Sequence, residues 1–170
     1  MRKPIPYSPI KLALSRSLRL DAAVATSFEA EHALVLATLD QLEALADGLP
    51  RLPPRPVLES LIIHLREGIP AHCRHEEHAL TLNEVEQNPD SVALSRRALL
   101  LIRDEHADNE AIGLELAEHL EDCLDAAVAP APEALGQLTR QFFLLMRRHM
   151  AWEEFVLELA SAERGSGKAG

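Results

Sequence analysis

Aromatic residues make up only 4% of this 170-residue chain, and its two cysteines, Cys73 and Cys123, form no CxxC pair. Such sparse cysteine excludes a disulfide framework and a cysteine-based zinc site, so reduced thiols in the cytoplasm are expected. No apolar stretch approaches the roughly 20 residues needed to span a membrane. Basic residues are outnumbered 17 to 27, for a formal net charge of -10. That balance argues against nucleic acid as a partner, because phosphate binding needs a basic face, and it suits a site that attracts cations. There is no Gly-rich phosphate loop, no nucleophile elbow, no strand-like alternation and no evident sequence repeat. What is abundant is Leu and Ala, both good helix formers. Apolar residues at 47% and charged residues at 26% are ordinary for a soluble domain, and the length suits one domain with a sizeable core.

Charge is distributed unevenly at the N-terminus. Arg2, Lys3, Lys11, Arg16 and Arg19 all precede Asp21, the first acidic residue. A signal peptide would follow its basic start with an unbroken apolar run; here the later cations interrupt it. Residues 1–20 are therefore expected to be a basic arm of an intracellular protein, residues 21–162 the folded domain, and residues 163–170 a disordered Gly-rich tail.

Punctuation cuts the domain into four helical segments. The first runs from Asp21 to Gly48, with Phe28, His32, Val35, Leu39 and Leu42 at helical spacing. A proline-rich loop over Leu49–Pro56 ends it. The second runs from Val57 to Glu86 on a stripe of Leu58, Leu61, Leu65, Gly68, His72, His75, Ala79 and Leu82. Gly68 and Pro70 fall inside it, which predicts a kink or short break. Asn88-Pro89-Asp90-Ser91 reads as a turn and helix cap. The third segment runs from Ser91 to Val128, its stripe carrying Ala98, Ile102, His106, Asn109, Gly113, Leu116 and Leu120; the fourth runs from Pro132 to Ala162, carrying Phe142, Leu145, Met146, His149, Trp152, Val156 and Leu159. Four amphipathic helices joined by short loops predict an all-α, up-down-up-down four-helix bundle.

The histidines carry the chemistry. His32, His72, His106 and His149 come one per segment, each near the middle of its apolar stripe. An antiparallel bundle brings mid-helix positions to one level, so four imidazoles are expected to converge in the core. Three have a carboxylate four residues later: Glu76, Glu110 and Glu153. Positions i and i+4 lie on one helix face, and buried carboxylates are costly unless paired or bound to metal. Mixed imidazole and carboxylate donors suit iron or manganese, and zinc less exclusively. A single HxxxE is common on solvated helices; three of them on apolar faces, with a fourth histidine beside them, predict a metal site. A ferritin-like site would need Glu-x-x-His on two helices, and only Glu29-Ala30-Glu31-His32 fits. Of the remaining candidates, His75 reads as a packed or gating residue, with a partner of a ligand or a spare ligand as the alternatives. His64 and His78 are expected to be partly solvated. Glu77 and Glu154 should form hydrogen bonds or surface salt links, Cys73 should be structural, and Trp152 should pack the bundle.

The order Glu31-His32, His72-Cys73-Arg74-His75-Glu76-Glu77, Glu105-His106, His149-Met150-Ala151-Trp152-Glu153-Glu154 resembles the hemerythrin-like (HHE cation-binding) family, over about residues 25 to 160. The resemblance implies a non-haem di-iron centre bridged by an oxo or hydroxo group, with His32, His72, His106 and His149 as terminal ligands and Glu76 and Glu153 as bridging carboxylates. Oxygen carriers of the family have a second histidine where this chain has Glu110. As a ligand, Glu110 would add a third carboxylate and turn the site away from reversible oxygen carriage; the other reading leaves it outside the ligand shell or exposed. The implied function is binding or sensing of oxygen, nitric oxide, peroxide, or cell iron and redox state, with the signal passed through a protein partner or a homodimer. The alternative is a di-iron enzyme acting on peroxide or nitric oxide, or an iron donor for iron–sulfur repair.

Overall fold

The computed structural model describes residue 14 and residues 18–20, 22–82, 88–126 and 128–161, with side chains from residue 28 to 156 in those stretches and at 14 and 18. The chain is mostly helical. A short strand β1 (Leu18–Leu20) precedes helix α1 (Ala22–Gly48); α2 (Arg55–Ile63), a π-helical turn (His64–Gly68) and α3 (Ile69–Ala79) follow in one run, then strand β2 (Leu80–Leu82), α4 (Pro89–Glu121) and α5 (Pro132–Ser161). Helix α5 packs against both α1 and α4; α2, the π turn and α3 pack against α4, and α1 also packs against α2 and α3. Among the described residues no helix is long and apolar enough to cross a membrane. The expected tail over 163–170 and most of the basic arm lie outside the described residues. Within the arm, Leu14 and Leu18 are buried in the core.

Three local outcomes differ from the sequence expectations. Of the kink or short break expected at Gly68 and Pro70, the break does not occur, and the second helix runs on through the π turn. Ile69 N–H reaches back to His64 O across five residues, and the backbone stays right-handed helical at Ile63, His64, Gly68 and Ile69. A wider turn relieves the clash that a proline ring makes with the carbonyl four residues earlier. The bidentate pair of Arg66 with Glu121, 2.9 Å on each arm, fastens that turn to the end of α4. Second, this helix ends at Ala79 rather than Glu86. Leu80 turns extended, and Leu80–Leu82 pairs antiparallel with Leu18–Leu20, a two-stranded ribbon that helical periodicity concealed. Third, α4 ends at Glu121, short of Val128. Ala129 N–H bonds Pro50 O, and Arg51 bridges Val128, drawing the chain across to the proline-rich loop. The cap expected at Asn88 is present: its side chain accepts from Asp90 N at 3.0 Å and Ser91 N at 3.5 Å, with Pro89 in the first turn.

The apolar core comes in two parts. The larger contains Val35, Leu39 and Leu42 of α1, Leu58 and Leu61 of α2, Leu65 of the π turn, Ile69 of α3, Leu116 and Leu120 of α4, and Phe142 and Met146 of α5. The smaller joins Leu14 and Leu18 to Leu80, Ala98, Ile102 and Val156. His106 on α4 and Glu153 on α5 fall between the two clusters in sequence, which puts a polar layer between two oily ones. Replacing Asn88 by Ala should lower stability by about 1 kcal/mol through loss of the cap; a denaturant midpoint shift with unchanged slope checks it, and an unshifted midpoint would count against the cap.

Candidate metal centre

The polar layer contains side chains that a protein interior does not tolerate alone. Glu76 and Glu153 are 0% exposed, and His72, His106 and His149 are buried around them. Their ligand atoms fall into two groups: Glu76, His106, His149 and Glu153 in one, and His32, His72 and Glu153 in the other. Within each group the donor atoms all lie within 4.8 Å of one another. Glu153 belongs to both. Its Oε1 is 3.1 Å from His106 Nε2 and close against His149 Nε2, while its Oε2 is 3.9 Å from His32 Nε2. Glu76 Oε2 lies 3.3 Å from His106 Nε2.

Orientation of the imidazoles comes from a second set of carboxylates. Glu31 on α1 accepts from His72 Nδ1 at 3.1 Å and from His75 Nδ1 at 2.8 Å. Glu77 on α3 accepts from His106 Nδ1 at 2.9 Å, and Glu105 on α4 accepts from His149 Nδ1 at 2.9 Å. An ionised carboxylate only accepts, so the proton sits on Nδ1 of each imidazole. Nε2 of His72 and His149 is then left as a bare lone pair aimed inward. Carboxylate-to-histidine contacts of this kind fix the tautomer and ring direction of metal-binding histidines. Phe28 closes over one side, its ring centroid 6.1 Å from His32 and 6.3 Å from His72.

Six atoms of the layer, His32 Nε2, His72 Nε2, His149 Nε2, Glu153 Oε2 and both oxygens of Glu76, are buried without a hydrogen bond. All six belong to the two donor groups. Buried polar atoms normally find partners, and unpartnered ones need a physical reason. A cation is the species that satisfies lone pairs on nitrogen and oxygen together, so these residues form a buried His/Glu group able to hold a metal ion.

No model of a known protein family, no curated protein and no solved structure matches this chain.

Six of the seven residues expected as ligands are brought together. Glu110 is not in either donor group. It is partly exposed, while its neighbour Asn109 is buried. The inward seam of α4 steps from His106 to Asn109 and Gly113, three residues and then four, so position 110 falls to the side. On α3 and α5 the seam steps four residues after the histidine, to Glu76 and Glu153. Cys73 is buried and its thiol is held well above the ordinary range by desolvation, in keeping with a structural role. His64 is partly exposed and His78 is exposed, its Nδ1–H donating to Arg74 O at 2.7 Å. Trp152 packs on Phe155 and the smaller core cluster.

Sequence reasoning left two things out. Glu31 and Glu105 were visible only as neighbours of a histidine, with no role, although each sits about 100° round its helix and so faces the adjacent helix. It also saw no repeat. Yet Glu31-His32 corresponds to Glu105-His106, and His72 with Glu76-Glu77 corresponds to His149 with Glu153-Glu154. The buried neighbours follow the same two offsets: Phe28, Val35, Leu39 and Leu42 match Ile102, Asn109, Gly113 and Leu116, and Leu65, Ile69 and Cys73 match Phe142, Met146 and Met150. The two halves repeat a burial pattern, with little identity outside the site.

Burial and proximity shift the titration of these groups. Burial and the adjacent Glu153 carboxylate push Glu76 up to about 9. Burial pulls His106 down, but the close carboxylates of Glu153, Glu76 and Glu77 outweigh it and raise it to about 10. Burial and the neighbouring His72 lower His32. Glu153 goes well below the usual carboxylate range, because its close neighbours Glu76, His106 and His149 outweigh its desolvation.

Two predictions follow from the group. Glu76 and His106 both bind protons more tightly in the folded state than at their ordinary 4.5 and 6.5. Between pH 6.5 and 9 the folded chain therefore holds more protons than the unfolded chain, and stability falls as pH rises. Melting of chelator-treated protein should drop across that window, and added Fe(II) should reverse the trend; a flat or rising profile without metal would contradict the assignment. Separately, Glu105→Ala should weaken metal binding by roughly 10- to 100-fold, Glu153→Ala should abolish it, and Glu110→Ala should leave it unchanged, as read by competition with a chromogenic chelator. Loss of binding in Glu110→Ala would return that residue to the ligand set.

Proposed function

We propose that this protein is a non-haem di-iron protein similar to hemerythrin-like domains, and that it binds or senses a small ligand such as oxygen, nitric oxide or peroxide, or reports the iron and redox state of the cell. The observation that carries the reading is the position of Glu153, one oxygen in each of two donor groups that both open on the same buried layer. A carboxylate shared in this way suits two cations rather than one. The mixture of imidazole nitrogen and carboxylate oxygen suits iron, with manganese or zinc as competitors.

An up-down-up-down bundle is the architecture that fits this reading. In sequence, α4 meets the smaller apolar cluster, then His106, then the larger cluster; α5 meets them in the opposite order around His149 and Glu153. The run through α2 and α3 follows the order of α5, and α1 that of α4 after His32. Alternation of this kind supports antiparallel neighbours.

When bound, the irons would supply a redox-active Lewis acid. The chain's own contribution is fixed by what is described above. Glu31, Glu77 and Glu105 hold three imidazoles in one tautomer, two apolar clusters exclude water, and the -10 net charge of the chain draws cations inward. Among the described residues no carboxylate bonds Nδ1 of His32, and its side chain is 17% exposed. That side of the centre is the least constrained and the one at which a small ligand would gain access.

Protein purified without a nickel column should contain about two irons per chain, and its near-ultraviolet absorption should shift on adding azide. Absence of metal, with melting indifferent to chelator, would refute the proposal; two metals with a spectrum unresponsive to azide, oxygen and nitric oxide would refute the sensing part alone.

A further inference from the structure

A groove of about 300 Å³ lies between α1 and the run formed by the π turn and α3. Its ends are marked by hydrogen bonds across the two helices: Thr38 with His64 at 3.4 Å at one end, and Glu31 with His72 and His75 at the other. Positions 31 and 38 are two turns apart, so the groove is about 10 Å long. Leu34, Val35, Ile69 and Ala71 line it between those ends. Space exists here because small residues face it. At Gly68 even a Cβ would stand 3.3 Å from the His64 ring, and Ala71 adds only a methyl. The π turn sits on this wall, and such turns recur where a helix makes room for a ligand.

The internal repeat supplies a control within the same molecule. The corresponding groove between α4 and α5 is lined by Glu105, Asp108, Asn109, Ile112, Gln141, Leu145 and Arg148 and has a similar volume, about 350 Å³. Its chemistry differs along the middle of the walls, although Ile112 and Leu145 stand where the first groove has Thr38 and Gly68. Where the first groove has Leu34, Val35 and Ala71, the second has Asp108, Asn109 and Arg148, and Arg148 spans to Glu105 at 3.4 Å. Of two grooves of like size, one carries charge along its walls and the other keeps its polar groups to its ends, which marks the latter as specialised. Leu34 on its wall is half exposed.

We propose that the groove between α1 and α3 is a binding site for a small, elongated, neutral and largely apolar molecule with one hydroxyl or carbonyl group, held against His64 or His75. Its volume is about twice that of a cavity that accommodates benzene, which sets the occupant at roughly a dozen non-hydrogen atoms. Glu31 and the strongly negative chain disfavour an anion. The occupant is larger than any diatomic and touches the far side of the Glu31 carboxylate that orients His72, so it sits next to the metal centre without entering it. This site stands on the groove alone and holds whether or not iron is bound.

The test is titration of the full chain with 6-fluoro-2-naphthol, followed by its fluorine resonance, in chelator-treated and iron-loaded protein. Saturable binding at one site is expected in both, with 6-fluoro-2-naphthoate at least roughly tenfold weaker. Ala71→Phe, which fills the groove from its exposed rim, should weaken naphthol binding by roughly tenfold or more. Leu34→Asp, which copies the residue of the other groove, should do the same. Ala111→Phe, the equivalent filling of the charged groove, should leave binding unchanged. Circular dichroism melts confirm that each variant is folded. Absence of saturable binding, equal binding of the naphthoate, or equal loss in Ala111→Phe and Ala71→Phe would overturn the proposal, and iron content measured on the same samples separates that failure from failure of the di-iron reading.

Discussion

Two carboxylates with no exposure to water, Glu76 and Glu153, stand among four imidazoles in the interior. Removing a carboxylate from water costs several kcal/mol even after the surroundings relax, so every neighbouring feature has to be understood against that cost. The flanking clusters keep water out and make the cost high. Protons on Glu76 and His106, or cations in their place, bring it down. The outer carboxylates Glu31, Glu77 and Glu105 leave the inner ring of atoms short of partners by tying up Nδ1 on the other side of each imidazole. A layer built this way stabilises the fold weakly on its own and strongly once a cation satisfies it, since anything that binds only the folded state adds to its stability.

The site was legible in the sequence where one helix alone determines it. An HxxxE motif whose two members share an apolar stripe needs only the 3.6-residue period, and His72–Glu76 and His149–Glu153 were read on that basis. Glu110 was misleading for an equally local reason. It keeps the four-residue spacing from His106, but the seam of α4 had already turned to Asn109, a residue visible in the same stripe. What one helix cannot show is which side chain reaches sideways. Glu31 and Glu105 act on histidines 41 and 44 residues away in sequence, and spacing along their own helices carries no sign of it.

Element boundaries failed where distant segments pair. The ribbon of Leu18–Leu20 with Leu80–Leu82 and the bridge of Arg51 to Val128 each end a helix early, and each depends on a partner remote in the chain. Gly68 and Pro70 did mark a real irregularity. The helix absorbed it by widening a turn, which costs less than breaking a buried segment whose backbone groups would then need new partners.

The ribbon also has a consequence for how the two similar halves differ. Residues 18 and 82 are joined at the base of the first half, so α1 through α3 form a loop with its own clasp, and Leu14, Leu18 and Leu80 pack that clasp against Ala98, Ile102 and Val156. Among the described residues the second half has no counterpart. Among the described residues, one side of the buried layer therefore hangs from an arch closed by backbone pairing and the other from two helices held at that end by side-chain packing, so an opening of the interior would begin by parting α4 and α5 before the arch gives way.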